Sequence, residues 1–188
     1  HPYAFESSVD NDGWVGISHC AVWDDGQGNW YFCSQGRKPV DYKDGEWAPN
    51  AIMMGHVRRI YWTSDGWPVV SPERYAGVED APVSTEDLEG TWELIDLTYS
   101  YGKQKTSTEL TITKSSVGTN RVTIKGTLTG SGVFDAEKNI LKVTVSGSTF
   151  NLNVARELDW EATQRKSTIV MAGYRTAAQT YWMKKKQE

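Results

Sequence analysis

The sequence of 188 residues has little that would suit a membrane protein, a nucleic-acid-binding protein or a helical protein. No apolar run approaches the roughly 18 residues that cross a bilayer, so we expect no membrane-spanning helix. The net charge of −4 argues against a basic face that would neutralise phosphates, and so against a nucleic-acid partner. Helical periodicity is nearly absent, and the one candidate helix, residues 158–165, is short and polar.

Cysteines and catalytic motifs are also scarce. No nucleophile elbow, P-loop, Rossmann glycine pattern or HExxH motif appears, and the glycine-rich residues 126–132 indicate a hairpin rather than a phosphate-binding loop. The two cysteines, Cys20 and Cys33, face each other if Trp23 pairs with Trp30 across the intervening turn. Two interpretations stay open for them, a pair of buried thiols and a disulfide.

What the sequence does contain is strand signals. β-branched and aromatic residues alternate with polar ones between turn residues, which predicts an all-β fold. Four predicted strands in the first half are typical of one propeller blade. They are residues 14–23, 30–35, 50–62 and 67–70. Seven more are predicted at 90–97, 108–113, 121–128, 140–145, 149–154, 168–174 and 180–184, and they favour a small antiparallel barrel over a sandwich, since closure removes exposed edges.

Composition divides the chain into two units. The first half holds the excess of acidic residues and six of the nine tryptophans, whereas the second is rich in Thr, Ser, Val and Lys. We predict a first unit at 1–80, a polar linker at 81–87 and a second unit at 88–188. The tryptophans fit two interpretations, a core of large aromatics and a platform on which sugar rings stack.

Three side chains in the first half are candidates for a site. His19 is either structural or has a metal-binding or catalytic role, and His56 lies in the third predicted strand just before the two arginines. Arg58 and Arg59 lie on opposite faces of the third predicted strand. For such an arginine we weigh pairing with an acid or stacking on Trp against contact with a carboxylate or sugar ligand.

Several segments together resemble a known family. They are residues 13–20, 30–32, 35–37 and the long run 56–77, which includes Trp62-Thr63-Ser64-Asp65-Gly66-Trp67-Pro68. They are similar to the last propeller blade of family 43 glycoside hydrolases, in particular the endo-α-1,5-L-arabinanases. Residues 88–188 resemble the C-terminal β-barrel of the two-domain extracellular members, with matches at 158–161 and at Tyr181-Trp182.

The resemblance implies one blade of a five-bladed β-propeller followed by a small, lipocalin-like antiparallel barrel. It implies a glycoside hydrolase that cleaves α-1,5-L-arabinan by inversion, with a base, an acid and an orienting carboxylate on earlier blades. We therefore expect no catalytic residue in this chain, which would be the C-terminal part of a secreted enzyme, extracellular or periplasmic. Its expected partners are arabinan or arabino-oligosaccharides and the N-terminal blades, present as a separate or removed segment.

The resemblance also implies a metal ligand. His19 matches the histidine of the family's central channel, which helps to hold one calcium ion through an imidazole and waters. The family more often has Pro or Gly before this histidine and Asn after it, whereas this chain has Ser18 and Cys20.

Two other functions are weighed against the hydrolase. One is a non-catalytic polysaccharide-binding module. The other is a lipocalin-like carrier of small apolar ligands, which the composition disfavours because the barrel strands offer few aromatic residues for a pocket.

Overall fold

The computed structural model describes residues 3–5, 15–38, 42–47, 52–98, 105–176 and 179–187. They form strands and turns with one 3-10 turn at Glu86–Leu88, which confirms the all-β prediction. The strands up to residue 70 are β1 (Tyr3–Ala4), β2 (Val15–Asp24), β3 (Trp30–Arg37), β4 (Tyr42–Lys43), β5 (Glu46–Trp47), β6 (Met54–Trp62) and β7 (Pro68–Val70). The later strands are β8 (Gly90–Asp96), β9 (Lys105–Thr106), β10 (Thr108–Lys114), β11 (Arg121–Gly126), β12 (Gly130–Asp135), β13 (Ile140–Val145), β14 (Ser148–Leu158), β15 (Ser167–Thr176) and β16 (Gln179–Lys185). No helix among the described residues has the length and apolarity needed to cross a membrane.

The first half forms a four-stranded antiparallel sheet in the order β2-β3-β6-β7, with the β4–β5 hairpin between β3 and β6 in the chain. The four predicted strands correspond to these four. Trp14 and Asn50, where two of them were expected to begin, lie outside the described residues. Short β1 pairs in parallel with β9, which joins the start of the chain to the second half.

The register of β2 on β3 differs from the prediction by one residue. The backbone N–H of Asp25 donates to the carbonyl of Asn29 at 3.2 Å, and this bond closes the turn so that Asp24, not Trp23, lies opposite Trp30. Gly26 and Gly28 supply the positive φ values, 74° and 96°, that this turn requires.

The one-residue shift separates the cysteines. Cys33 lies opposite Ala21, and Cys20 lies in an irregular stretch where the pairing slips between Ser18 and Ala21. His19 in this bulge has a φ of 50°. Cys20 and Cys33 are therefore not opposed, and both are free thiols.

The second half is a closed antiparallel barrel of eight strands, in the order β10-β11-β12-β13-β14-β15-β16-β8. The predicted barrel is confirmed, but with eight strands rather than seven. The missed strand is β12, which begins at Gly130 within the glycine-rich residues 126–132; these residues do form the predicted hairpin, between β11 and β12. A Cβ on Gly130 would lie 2.2 Å from the carbonyl oxygen of Thr144, and one on Gly132 would lie 2.8 Å from Leu141 Cδ1. These glycines thus allow close packing within a strand rather than a turn.

The one candidate helix, residues 158–165, does not form. β14 continues to Leu158, and turns follow until β15 begins at Ser167. Within these turns the indole N–H of Trp160 donates to the Arg74 carbonyl at 2.8 Å, and Asp159 accepts a hydrogen bond from Lys184 at 3.0 Å. Bonds to distant residues, rather than helical bonds, therefore fix this segment.

The barrel interior is filled by apolar side chains from every strand. Those with no exposed surface are Leu88, Trp92, Ile112, Ile124, Leu141, Val143, Leu152, Met171 and Met183. Alternation predicted the inward positions of Leu110, Ile112, Val122 and Ile124, and the structure confirms them. This packing places the fold's ligand-accessible surfaces outside the barrel, which counts against the carrier hypothesis.

Candidate functional site

The two halves meet at an interface that we call the joint. On one side are β7 and residues 71–75, and on the other is the outer face of β14, β15 and β16. Ala155, Val170 and Ala172 project outward from the barrel, yet they are at most 9% exposed. The indole N–H of Trp182 on β16 donates to the Val70 carbonyl at 2.8 Å. The barrel thus lies against the edge strand of the first sheet and covers it.

A buried ionic cluster lies at one end of the joint. Lys184 on β16 has no exposed surface, and its Nζ lies 3.2 Å from Glu73 Oε1 and 3.0 Å from Asp159 Oδ1. Glu161 adds a third carboxylate and pairs with Arg74 at 3.2 Å. Lys184 Nζ also lies 4.5 Å from the centre of the Phe5 ring.

Three carboxylates this close could in principle hold a metal ion, since one oxygen from each lies within 4.8 Å of the others. Lys184 already supplies the positive charge, however. Although burial alone would lower its pKa, Glu73 and Asp159 raise the pKa of Lys184 above its usual value. The ammonium therefore stays charged in the position that a cation would need.

Another buried carboxylate, Glu157, lies next to this cluster, because the Ser71 hydroxyl that it contacts also accepts a hydrogen bond from the backbone N–H of Glu73. It accepts hydrogen bonds from the Tyr61 hydroxyl at 3.2 Å and the Ser71 hydroxyl at 3.3 Å, and Arg59 Nε lies 3.7 Å away. Burial raises the pKa of Glu157 to about 6, against the opposing charge of Arg59. Burial, and then the charge of Glu157, also raise the pKa of Tyr61. A hydroxyl so placed is a donor and not a nucleophile.

The two arginines have structural partners. Arg58 Cζ lies 5.2 Å from the centre of the Trp182 ring, and its guanidinium donates to the Ser71 carbonyl at 3.3 Å and to that of Pro72. Arg59 pairs with Asp80 at 2.7 Å and lies 5.2 Å from the Tyr75 ring centre. The interpretation as paired or stacked arginines is confirmed.

The two histidines His56 and His19 differ in their exposure to solvent. His56 is 2% exposed, and burial, followed by the charges of Arg58 and Arg74, lowers its pKa to about 4. His19 is exposed on the bulge of β2, where Nδ1 is 3.4 Å from Ser18 Oγ and also contacts the Gln35 amide. These contacts orient the ring and leave Nε2 as the nitrogen for a ligand, so His19 fits a role as one ligand among waters.

A cleft of about 660 Å³ separates the sheet from the barrel beside the joint. Its aromatic lining comes from both halves: Trp67 follows the turn before β7, and Tyr174 and Trp182 lie on barrel strands. Tyr174 also contacts Asp65 in that turn. The volume is in the range of small-ligand clefts in proteins.

The tryptophans divide between the two interpretations of the sequence. Trp92 is fully buried in the barrel, whereas Trp23, Trp62 and Trp67 of the first half are 44%, 44% and 64% exposed. Trp23 stacks on Tyr31 with ring centres 4.5 Å apart. In the first half, therefore, several large aromatic rings are available at the surface.

The sequence reasoning missed the joint and its charged residues, chiefly Glu73, Glu157, Asp159 and Lys184. A signal for it was present in residues 168–173 of β15, all of which are buried. A strand without alternation is buried on both faces. Lys184, in a run of three lysines, carries the pattern of a solvated end and gave no such signal.

The barrel and the segment that contacts it are similar to a domain of known proteins. Residues 72–183 match the family model of the C-terminal lipocalin-like domain of glycoside hydrolase family 43, GH43_C. The match covers more than half of the chain and begins in the segment that lies against the barrel at the joint. The chain therefore belongs to this family, and its resemblance to family 43 is confirmed.

A characterised relative covers nearly the whole chain. The extracellular endo-α-(1→5)-L-arabinanase 2 of Bacillus subtilis is 27% identical over 182 residues, which are 96% of this chain and 35% of the relative. The chain thus spans about a third of the length of that protein.

Solved structures show the same fold. The family 43 glycoside hydrolase YxiA of Bacillus licheniformis matches with a TM-score of 0.75 and 22% identity, over 100% of this chain and 38% of that one. The endo-1,5-α-L-arabinanase of Thermotoga petrophila matches with a TM-score of 0.68 and 19% identity, over 93% and 36%. Both likenesses extend across the first sheet as well as the barrel.

Proposed function

We propose that the chain is the C-terminal part of a secreted glycoside hydrolase that cleaves α-1,5-L-arabinan. The observation that carries the proposal is the span of the match: 96% of this chain aligns with about a third of an extracellular arabinanase. The sheet of β2, β3, β6 and β7 is then the last blade of a five-bladed propeller. The barrel is an accessory domain that lies against its outer strand.

In this proposal residues 1–80 are the blade, 81–87 the linker and 88–188 the barrel. The catalytic base, acid and orienting carboxylate belong to N-terminal blades outside this chain. The carboxylates at the joint suit no such role, because Glu73, Glu157 and Asp159 are at most 4% exposed and are held by Lys184, Tyr61 and Ser71. A general acid or base must reach the substrate.

We also propose that His19 contributes one ligand to a calcium ion in the intact enzyme. The ion would supply positive charge near the catalytic carboxylates. This chain's part is to present the exposed imidazole, oriented by Ser18 and Gln35. In the longer protein, His19→Ala should lower the calcium content measured by mass spectrometry of the metal. Full calcium occupancy in that variant would make His19 a structural residue.

The test of the hydrolase uses an antibody raised against the chain to isolate the native protein from its source. We expect a protein about three times the length of this chain, which releases reducing ends from linear arabinan, whereas the chain alone releases none. A native protein no longer than the chain, or a longer one without arabinan hydrolysis, would contradict the proposal. So would hydrolysis by the purified chain.

A second candidate function is binding of polysaccharide without catalysis. The observation in its favour is the cleft with Trp67, Tyr174 and Trp182, since aromatic faces bind sugar rings. Affinity electrophoresis in arabinan gels tests it. Retardation that Trp67→Ala abolishes and Trp23→Ala preserves would support a binding module, because Trp23 is equally a surface ring but does not line the cleft.

A further inference from the structure

The ionic cluster at the joint contains more acid than base. Glu73, Asp159 and Glu161 bring three carboxyl groups together, and the cations in contact with them are Lys184 and Arg74. Glu73 is 2% exposed and Asp159 is 4% exposed, so water screens this cluster poorly. An unbalanced negative charge in such a place is unfavourable, and a carboxyl group relieves it by keeping its proton.

The partners of each group single out Glu73 as the carboxyl that keeps its proton. Asp159 accepts a hydrogen bond from Lys184, and Glu161 is paired with Arg74. Glu73 shares Lys184 with Asp159 and lies next to Glu161. Burial, followed by the charge of Glu161, raises the pKa of Glu73 to about 8, against the opposing charge of Lys184.

We propose that Glu73 keeps its proton at neutral pH and shares it with Glu161. The contact between the first sheet and the barrel at the joint therefore depends on this proton and loosens in alkaline solution. With that proton in place, the three carboxyl groups carry two negative charges, which match the two cations in direct contact with them, Lys184 and Arg74. Without it, a third negative charge lies between the sheet and the barrel, and Arg58 offsets it only in part. The proposal does not depend on arabinan hydrolysis.

Charged and titratable groups from several elements lie around Glu73. They are His56 and Arg58 of β6, Arg74 beside Glu73 in the chain, Glu157 at the end of β14, Asp159 and Glu161 in the turns that follow, Lys184 of β16, and Glu93 of β8 opposite Lys184 in register. Arg58 donates to the carbonyls of Ser71 and Pro72 rather than to Glu73. Its buried charge also interacts with Glu73 and Glu161, so Arg58 both fixes the segment that carries Glu73 and offsets part of the negative charge of the cluster.

The direction of the pH effect follows from linkage. Because the pKa of Glu73 is higher in the folded chain than in the unfolded one, the folded state holds the proton more tightly. Its contribution to stability is fully present below about pH 4.5 and is lost as the pH rises to about 8. His56, whose pKa is lowered, acts only below about pH 6.5 and so does not contribute to changes between pH 6.5 and 9.

The first experiment is a carbon NMR titration of the full chain with glutamate labelled at the side-chain carboxyl carbon. We expect one glutamate resonance to titrate near pH 8 and to disappear in Glu73→Gln. In Glu161→Gln the midpoint of that resonance should move to lower pH, because the neighbouring negative charge is gone. Glu137→Gln, the same change in an exposed turn of the barrel, should leave it in place. A wild-type spectrum with no glutamate titrating above pH 7 would overturn the proposal.

The second experiment tests whether the Glu73 proton controls the joint. It uses fluorine NMR on the full chain labelled with 5-fluorotryptophan. Trp160 and Trp182 lie at the joint and Trp92 lies in the barrel core. Between pH 6.5 and 9 we expect the resonances of the first two to shift with the Glu73 midpoint, while that of Trp92 stays constant. Stationary joint resonances, or equal shifts at Trp92, would show that the proton does not control the joint.

Discussion

The two sides of the barrel differ in the burial of their outward-facing residues. On β10 to β13 inward residues are buried and outward ones exposed in strict turn, as Leu110, Ile112, Val122 and Ile124 alternate with polar neighbours. On β8, β14, β15 and β16 outward residues such as Ile95, Val170 and Lys184 are buried as well. The outer face of β10 to β13 is thus exposed to solvent, whereas the outer face of the other four strands is buried.

This difference determines what a lysine on the outside of the barrel does. Lys142 on β13 and Lys184 on β16 both project from the barrel, but Lys142 is in solvent and Lys184 is enclosed by carboxylates. The same residue type is thus a solubilising group on one side and a buried counter-ion on the other. Matched substitutions on the two sides turn this contrast into measurements.

The largest effect is expected from Lys184→Met. The change leaves Asp159 buried without its counter-ion, and removing one partner of a buried ion pair costs about 3–5 kcal/mol. Lys142→Met should change the free energy of unfolding by no more than about 0.5 kcal/mol, as surface substitutions do. Urea unfolding of the full chain measures both. Similar losses in the two variants would show that Lys184 is not a buried counter-ion.

The same contrast explains how far the sequence could be interpreted. Apolar and polar residues alternate along a strand when one of its faces is exposed to water. This alternation therefore predicted the bounds of β10, β11 and β13 to within two residues and identified their inward-facing residues correctly. It failed on β12, where glycines fill positions that a side chain could not occupy. It also failed beyond Leu158, where bonds to Arg74 and Lys184 replace regular structure.

The joint could not be inferred from residue types. Glu73 and Lys184 are 111 positions apart, and nothing in either local sequence distinguishes a buried ion pair from two solvated charges. The resemblance in residues 56–77 led to the family without indicating what these residues contact. The two histidines illustrate the limit, because only the structure shows that His56 is buried and His19 exposed.

The next largest effect is a change in the free energy of unfolding at low pH, and it should come from His56, on the same side of the molecule as the joint. His56 has its pKa lowered to about 4 by burial and by Arg58 and Arg74, so it is neutral in the folded chain. Its contribution to stability is full above about pH 6.5 and is lost as the pH falls toward 4, by about 3 kcal/mol in all. Glu73 and Glu157, whose pKa values are raised, gain stability over the same interval as the pH falls, so the His56 contribution is the difference in slope between wild type and His56→Gln. We expect His56→Gln to lose less stability in acid than wild type does.

Thermal unfolding between pH 4 and 7 measures the slope for wild type and variant. The matched control is His19→Gln, which changes an exposed histidine of the same sheet and should keep the wild-type slope. If His19→Gln changed the slope relative to wild type as much as His56→Gln does, the assignment of the acid effect to the buried ring would be wrong.

The smallest effect compares two valines that both project outward from the barrel. Val170 on β15 has no exposed surface and lies at the joint, whereas Val133 on β12 is 36% exposed. Val→Thr keeps the shape and adds a hydroxyl, which in an apolar contact without a partner costs about 1–3 kcal/mol. We expect Val170→Thr to lower the free energy of unfolding by about that amount and Val133→Thr to change it by less than about 0.5 kcal/mol. Because the two substitutions are chemically identical, the difference between their effects on the free energy of unfolding shows whether water is excluded from the joint. Equal values from urea unfolding would mean that water enters between the barrel and the first sheet, and that the charged cluster, not the apolar contact, holds the two together.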